Sequence, residues 1–367
     1  MTPLRLGFIG GGINSAVGRA HYAACRMDGK FEIVAGCFSR DDAVNAATGE
    51  AFNCRPYTSA GSMMNVHKLD AVVVLTPTPD HNASVMFALE MGIPVICEKA
   101  LAATSAQAEE LCRLREENNG FLAVTYNYTG YPMARELRDM ILGKELGKIV
   151  SIQAEMPQEG YLRTQANPQA WRREDGSIPG VHLDLGTHLH QLIHFLTDDH
   201  PAALVAHQTS NSSIGVVDDV QCIAEYASGF TASMWFGKTA LGHRNGLRIR
   251  VNGTALSAEW RQTEPEELHI AVTGGTRLIA DRSSPHIRIA SLPRYQRFKA
   301  GHPAGFIEAY ANLYSDLAEW LHGHLGEDTP QDMGLRPILY GPEIAHEGLV
   351  MMEAMVKSAK EKQWITM

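Results

Sequence analysis

Short apolar runs alternate with helical stretches over the first third of the chain. Residues 6–9, Leu-Gly-Phe-Ile, read as a buried strand, 16–27 as a helix and 31–38 as a second strand. A short helix is predicted at 41–48. The run Ala71-Val72-Val73-Val74-Leu75 is the clearest strand, bounded by turn residues. A helix at 81–91, a strand at 95–97, a helix at 105–117 and a strand at 122–126 complete the series. Strands with no polar alternation, separated by helices, imply a parallel sheet covered on both faces. The expectation is a doubly wound α/β domain over residues 1–125.

The pattern then changes. Residues 132–142 read as a helix with Glu136 and Arg138 exposed. Strand-like segments follow at 149–156, 203–209, 220–226, 231–236, 247–251, 256–260 and 268–272. Several alternate apolar with polar residues, as antiparallel strands with one wet face do. Residues 305–321 and 343–360 read as closing helices. The expectation for 126–367 is an α+β domain with a large open, mostly antiparallel sheet that binds substrate and carries oligomer contacts. No repeat of about 20–50 residues is visible.

Composition narrows the partners. The 367 residues include 41 acidic and 32 basic side chains, giving net charge −9. That balance argues against nucleic acid or an anionic membrane as the main partner. No apolar run reaches about 18 residues, so no membrane span is expected. The chain opens into a strand-like run without an apolar signal core. Cys25, Cys37, Cys54, Cys97, Cys112 and Cys222 form no Cys-x-x-Cys pair and read as reduced thiols of a cytoplasmic protein.

Directly after the first strand stands Gly10-Gly11-Gly12-Ile13-Asn14-Ser15, a Gly-x-Gly-x-x-Ser turn that opens a helix. Such a turn brings backbone close to a pyrophosphate and aims a helix N-terminus at its charge. This is the dinucleotide fingerprint of a Rossmann-type domain, with Ser15 for the third glycine. At the end of the second strand an NAD enzyme usually carries a carboxylate for the ribose hydroxyls. Here the chain reads Cys37-Phe38-Ser39-Arg40. Ser39 and the Arg40 fork suit a 2′-phosphate, which favours NADP over NAD, although Asp41 and Asp42 stand close by. Arg40 also reads as a solvated loop residue or an adenine-stacking one.

Several further marks lie at specific separations. They are Thr76-Pro77-Thr78-Pro79-Asp80-His81 after the central strand, Glu98-Lys99 after the fifth, and Asp184-Leu185-Gly186-Thr187-His188. With the glycine turn, they make the whole chain resemble the glucose–fructose oxidoreductase/inositol dehydrogenase (Gfo/Idh/MocA) family. It is further similar to a subgroup through Thr125-Tyr126-Asn127-Tyr128-Thr129-Gly130-Tyr131-Pro132, Gly301-His302-Pro303 and Phe306-Ile307-Glu308-Ala309. The resemblance implies oxidation of ring hydroxyls of sugars, anhydrosugars or inositols. It implies Lys99, Asp184 and His188 as the catalytic set. It implies cofactor contacts at Gly10, Gly12, Ile13, Asn14, Ser39, Arg40, Thr76, Pro77, His81 and Glu98. Two positions depart from the pattern: Ala100 stands where the family usually has proline, and Asn14 where the subgroup often has glycine.

The residues themselves fit that chemistry. Lys99 follows a strand ending at the carboxyl edge of the parallel sheet, where ligands of open α/β folds bind. A lysine there can hydrogen-bond a substrate oxygen; the bland alternative is a surface pair with Glu98. Asp184 and His188 are four residues apart, hence on one face of a helix. A histidine suits proton removal from an alcohol, and a carboxylate orients it or binds a neighbouring hydroxyl. The sequence leaves open whether His188 or Lys99 takes the proton. Tyr126, Asn127, Trp171, Arg172 and His302 are the candidate substrate contacts, with Arg163 weaker, because a polyhydroxylated ring calls for aromatic faces and multi-donor side chains. Trp171 also reads as packing at the domain junction.

His182, His190 and His194 crowd the same segment. His190 and His194 have a metal-compatible spacing, but residue 191 is Gln and no third ligand is evident, so no metal is expected. The expected protein is an NAD(P)-dependent sugar or polyol dehydrogenase, a homodimer or homotetramer through its C-terminal sheet. The alternatives are a non-catalytic NAD(P)-binding regulator of the same fold and a redox-assisted glycosidase or epimerase that recycles its cofactor.

Overall fold

Strands β1 (Leu4–Gly10), β2 (Phe31–Cys37), β4 (Ala71–Leu75), β5 (Val95–Glu98) and β6 (Leu122–Thr125) form on mainly apolar runs, with Arg5 and Glu32 exposed near the starts of β1 and β2, and β4, β5 and β6 are buried throughout. With the two-residue β3 (Arg55–Pro56) they pair in parallel in the order β3-β2-β1-β4-β5-β6. The computed structural model describes residues 2–326 and 341–367. Helices α1 (Ala16–Met27), α2 (Asp42–Phe52), α3 (Ala60–Val66), α4 (His81–Glu90) and α5 (Ser105–Glu117) connect these strands. Ser15, Asp41, Ser59 and Thr104 each cap a helix by accepting from backbone N–H groups of its first turn. The order reverses at β1 and β4, which places a ligand crevice at their carboxyl ends.

The first compact unit is Met1–Gly130 together with Phe306–His346, and the second is Tyr131–Gly305 with Glu347–Met367. A single boundary near residue 125 therefore does not describe the chain. The correction comes from α8 (Phe306–His324), expected as a closing helix of the second domain. Its residues Tyr310, Leu313, Tyr314, Leu317 and Leu321 recur at helical spacing and lie in the core formed by Leu6, Phe8, Val73 and Ile96. Burying such a stripe stabilises by about 1.5–3 kcal/mol for each large side chain. Asn312 Nδ2 donates to the Gly130 carbonyl at 2.8 Å, joining α8 to the turn after β6.

The second unit is built on a mixed sheet. Strands β7 (Ile149–Pro157), β8 (Pro201–Thr209), β9 (Asp219–Tyr226), β10 (Thr231–Gly237), β11 (Arg248–Gly253), β12 (Leu256–Arg261), β13 (Leu268–Val272), β14 (Arg277–Ala280) and β15 (Ile365–Thr366) run in the order β14-β13-β12-β11-β7-β10-β9-β8-β15. Within this sheet, only the β7–β10 pair is parallel among the described residues. β9 alternates exposed and buried positions, as the sequence pattern implied. Helices α6 (Pro132–Leu142), α7 (Thr187–Thr197) and α9 (Pro342–Glu361) accompany the sheet.

Glu136 and Arg138, expected on a wet face of α6, are not exposed. Glu136 is buried, and its carboxylate accepts from the backbone N–H groups of Arg288, Ile289 and Ala290 at 3.1, 2.7 and 3.0 Å. Arg138 is half-buried, donating to the Phe195 carbonyl and to Asp198. Both polar groups satisfy backbone or charge partners distant in sequence, which a periodic pattern cannot display.

Candidate active site

The glycine turn is shaped by contact as much as by conformation. Gly10 has φ +80°, and a Cβ there would lie 2.8 Å from the Leu75 carbonyl carbon and the Thr76 nitrogen. A Cβ on Gly18 would sit 2.0 Å from the Gly11 oxygen, so α1 starts hard against the turn. Gly12 has Thr48 Oγ1 and the Phe38 carbonyl close by. Ile13 donates its N–H to Thr48 Oγ1 at 3.1 Å and packs its side chain on the core, while Asn14 is exposed. The turn is thus a pinned backbone loop at a helix N-terminus, the arrangement that binds a pyrophosphate.

Polar atoms near the strand ends fit a bound dinucleotide. Thr76 Oγ1 and Asn127 Nδ2 are buried without a hydrogen-bond partner among the described residues. They follow β4 and β6, at the carboxyl edge of the sheet. A buried polar atom left unpaired costs about 1–3 kcal/mol, which a ligand would recover. Asp41 spends its carboxylate capping α2, accepting from the Ala43 and Val44 N–H groups. Ser39 accepts from the Asp41 N–H, and the exposed Arg40 pairs with Asp80 at 3.2 Å.

Two residues expected at the cofactor make hydrogen bonds inside the unit. His81 is buried, with Nδ1 2.7 Å from the Ala100 carbonyl oxygen and Nε2 2.7 Å from that of Thr76. Burial holds its pKa below the ordinary histidine value against those two carbonyls. It ties the segment after β4 to the segment after β5, where the Lys99–Ala100 peptide is cis. Glu98 is likewise buried and accepts from Thr125 Oγ1 at 2.5 Å, Tyr310 OH at 2.9 Å and His21 Nε2 at 3.0 Å. His21 Nδ1 in turn lies 2.7 Å from Tyr314 OH. Burial alone would raise the Glu98 pKa, but the His21 hydrogen bond and charge, Lys99 and Thr125 together lower it to about 2. Lys99 is half-buried beside this anchored carboxylate. Tyr126 is buried too, and burial pushes its phenol pKa up. Thr76, directly after β4, is half-buried, and Pro77 is exposed.

In the second unit, Asp184 lies in a wide π turn, His182–Gly186, that runs into α7 and carries His188 onto its first turn. Such turns recur at functional sites. The carboxylate is clamped by a two-point Arg172 fork, Nη1 to Oδ2 at 2.6 Å and Nη2 to Oδ1 at 3.3 Å. Lys238 Nζ donates to Oδ2 at 2.5 Å. Burial opposes the Arg172 charge, yet Asp184 raises its pKa above the ordinary value. Arg172 also stacks on the Trp171 ring at 4.3 Å, and Lys238 lies 5.4 Å from the centre of the Tyr161 ring. His188 is buried. His182, with Nε2 3.1 Å from Gln208 Oε1, packs edge-on to Phe236, and burial drops its pKa to about 4.

The structure joins Arg172, expected as a substrate contact, to Asp184, expected as catalytic. His302 is exposed, ring to ring with Phe298, and its carbonyl accepts from Arg282 Nη2 at 2.9 Å. Arg163 is an exposed partner of Glu159. Lys238, Tyr161 and His21 were missed. Lys238 ends an alternating strand just after Gly237, and nothing local marks its partner 54 residues away. His21 left one signal: a histidine on the buried stripe of α1, with Gly18 and Cys25.

Comparison with known proteins accords with both units. Residues 4–126 match the model described as oxidoreductase family, NAD-binding Rossmann fold, and residues 134–259 match that of the GFO/IDH/MocA C-terminal domain. A Bacillus subtilis protein described as the uncharacterized oxidoreductase YfiI is 29% identical, with 98% of this chain and 95% of that protein aligned. The D-apiose dehydrogenase of Paraburkholderia graminis is 29% identical over 58% of this chain and 56% of its own. Among solved structures, an inositol dehydrogenase homolog from Azotobacter vinelandii, complexed with NADH and myo-inositol, is similar at TM-score 0.89 and 27% identity, covering 100% of this chain and 98% of that one. The chain is therefore a member of the Gfo/Idh/MocA family of NAD(P)-binding oxidoreductases.

Proposed function

We propose that this protein is a dehydrogenase that moves hydride between nicotinamide and a ring hydroxyl or ketone of a sugar, sugar derivative or inositol. The observation that carries the reading is the Asp184 carboxylate, held by Arg172 and Lys238 on the helical segment that presents His188. A fixed carboxylate next to a histidine is the equipment for taking a proton from an alcohol. The nicotinamide, when bound, supplies the hydride acceptor. His188 takes the hydroxyl proton, Asp184 orients the ring or accepts from a neighbouring hydroxyl, and Lys99 donates to the carbinol oxygen. The Trp171 face and the Arg172 donors suit a polyhydroxylated ring. Myo-inositol in the Azotobacter protein supports the substrate class.

For the cofactor, the pyrophosphate is assigned to the Gly10–Ser15 turn. NADP is favoured over NAD because Asp41 is occupied as a helix cap, leaving Ser39 and Arg40 at the 2′ position. The alternating outer face of β8–β10 is assigned to contact with a second copy, to be read by light scattering.

A panel of inositols, aldoses and glycosides, offered with NAD⁺ and with NADP⁺, tests the reading. Net accumulation of reduced cofactor, abolished in Lys99→Ala and His188→Ala, is the expected result. Product formed without reduced cofactor would identify a recycling enzyme, and turnover surviving in both variants would overturn the catalytic assignment.

A further inference from the structure

The histidine spacing on α7 lacked a third ligand in the sequence; the fold instead brings His200 and Glu347 to His194. His190 and His194 stand one turn apart on α7. Asp198 ends that helix in a left-handed conformation, φ +53°, and His200 comes back beside His194 with ring centres 5.1 Å apart. Glu347, on α9, faces the same place. Its Oε2 is 2.5 Å from His200 Nδ1, and its Oε1 is 2.8 Å from His190 Nε2. One ligand atom from each of His194, His200 and Glu347 falls within 4.8 Å of the others.

We propose that His194, His200 and Glu347 form a binding site for one divalent transition-metal ion of the zinc class, separate from the Asp184–His188 constellation. Two imidazoles and a carboxylate are a donor set that Zn²⁺ takes, with a water in the fourth position of a tetrahedron. The neighbours are arranged as metal ligands' neighbours are. His194 Nδ1 lies 3.2 Å from the Asp199 carbonyl oxygen, which fixes its N–H there and makes Nε2 the electron-pair donor. His190 donates from Nε2 to Glu347 Oε1 and orients the carboxylate. Zinc–nitrogen and zinc–oxygen bonds of about 2.0–2.2 Å require donor atoms about 3.3 Å apart in a tetrahedron. The His200–Glu347 contact must therefore open by less than about 1 Å as the ion displaces the proton between them. His200 is half-exposed, so it can turn to admit the ion.

A bound ion would fasten the end of α7 to α9, and its effect on stability follows mass action. The second His/carboxylate group, Glu264, Glu267 and His269, is more exposed and drawn from six consecutive residues, and it serves as the control.

The test uses the full chain, free of any tag and stripped of metal by chelator. Zn²⁺ is titrated by calorimetry and by competition with a chromophoric chelator, and Co²⁺ is added as a spectroscopic probe. The expected result is one ion per chain at micromolar or tighter affinity, the intense visible bands of tetrahedral Co²⁺, and a melting temperature that rises with Zn²⁺. His200→Ala and Glu347→Gln should each weaken binding at least about 10²-fold while keeping the metal-free circular dichroism. His269→Ala should leave it unchanged. No saturable one-to-one binding at millimolar Zn²⁺ would overturn the proposal. So would binding unaltered in both His200→Ala and Glu347→Gln.

Discussion

Lys238 Nζ lies 2.5 Å from Asp184 Oδ2, on the oxygen that also receives Arg172 Nη1. Two cations therefore hold one carboxylate at a fixed angle on the segment leading to His188. Lys238→Met keeps most of the side chain's length but removes its charge. The Arg172 fork still neutralises Asp184, so the fold should survive. The carboxylate loses one anchor, and kcat/KM should fall about 10²-fold, at the lower end of what positioned acid–base groups contribute. The fall should lie mainly in kcat, because the lysine positions Asp184 rather than gripping substrate. Steady-state kinetics on the best substrate of the panel checks this; a changed KM with kcat intact would assign Lys238 to substrate binding instead.

How much of this was legible depends on the range over which each residue finds its partner. The parallel strands, their helices and the glycine turn are local events, and the uncharged run at 71–75 became β4 without shift. Asp184 and His188 were legible because four residues separate them along one helical segment. Lys238 was not, because its partner sits 54 residues earlier across the sheet. Glu136 was misread for the same reason: an acidic residue at an apparent wet position meets three backbone N–H groups about 150 residues further on. The homing of α8 to the first unit was hidden similarly. Its apolar stripe declares burial but not which core receives it.

The Glu98 carboxylate offers a pH test. Its pKa is about 2 in the folded protein against an ordinary 4.5. A depressed carboxylate pKa stabilises the fold fully above the ordinary value, and that contribution is lost as pH falls through the folded value. The window is therefore pH 4.5 down to about 2. The contribution is about 3 kcal/mol at neutral pH. Glu98→Gln should lose stability of that order at pH 7 and much less near pH 2.5. Urea denaturation of both proteins across this range decides it; an equal gap at both pH values would mean that hydrogen-bond geometry, not charge, is what Glu98 supplies.

Gly18 and Gly323 should respond oppositely to the same change. A Cβ at Gly18 meets the Gly11 carbonyl oxygen at 2.0 Å, and backbone cannot yield as a side-chain tip can. Gly18→Ala should cost about 3 kcal/mol or more and weaken dinucleotide binding, because α1 is pushed off the turn it caps. Gly323 lies in the last turn of α8 with nothing within 4 Å of a built Cβ. Gly323→Ala should be neutral or stabilise by up to about 1 kcal/mol, through helix propensity. Calorimetric melting with and without NADPH reads both effects.

Arg40 is the sharpest test of cofactor choice. Its only described ion pair is with Asp80 at 3.2 Å, and its side chain is 91% exposed. A surface pair of this kind contributes about 0–1 kcal/mol, so the guanidinium can leave it for a phosphate at little cost. A charge-assisted fork on the 2′-phosphate is worth about 1.5–3 kcal/mol, roughly 10–100-fold in affinity. Arg40→Ala should therefore weaken NADPH by that factor and leave NADH nearly unchanged, since NADH presents no phosphate at that position. Asp41→Ala separates the two roles assigned at the end of β2. If Asp41 is only a cap, its loss should lower the melting temperature and weaken both cofactors alike. Were Asp41→Ala to weaken NADH alone, the carboxylate would be a ribose ligand and the preference for NADP would fall. Fluorescence titration of the two reduced cofactors against wild type and both variants gives the answer.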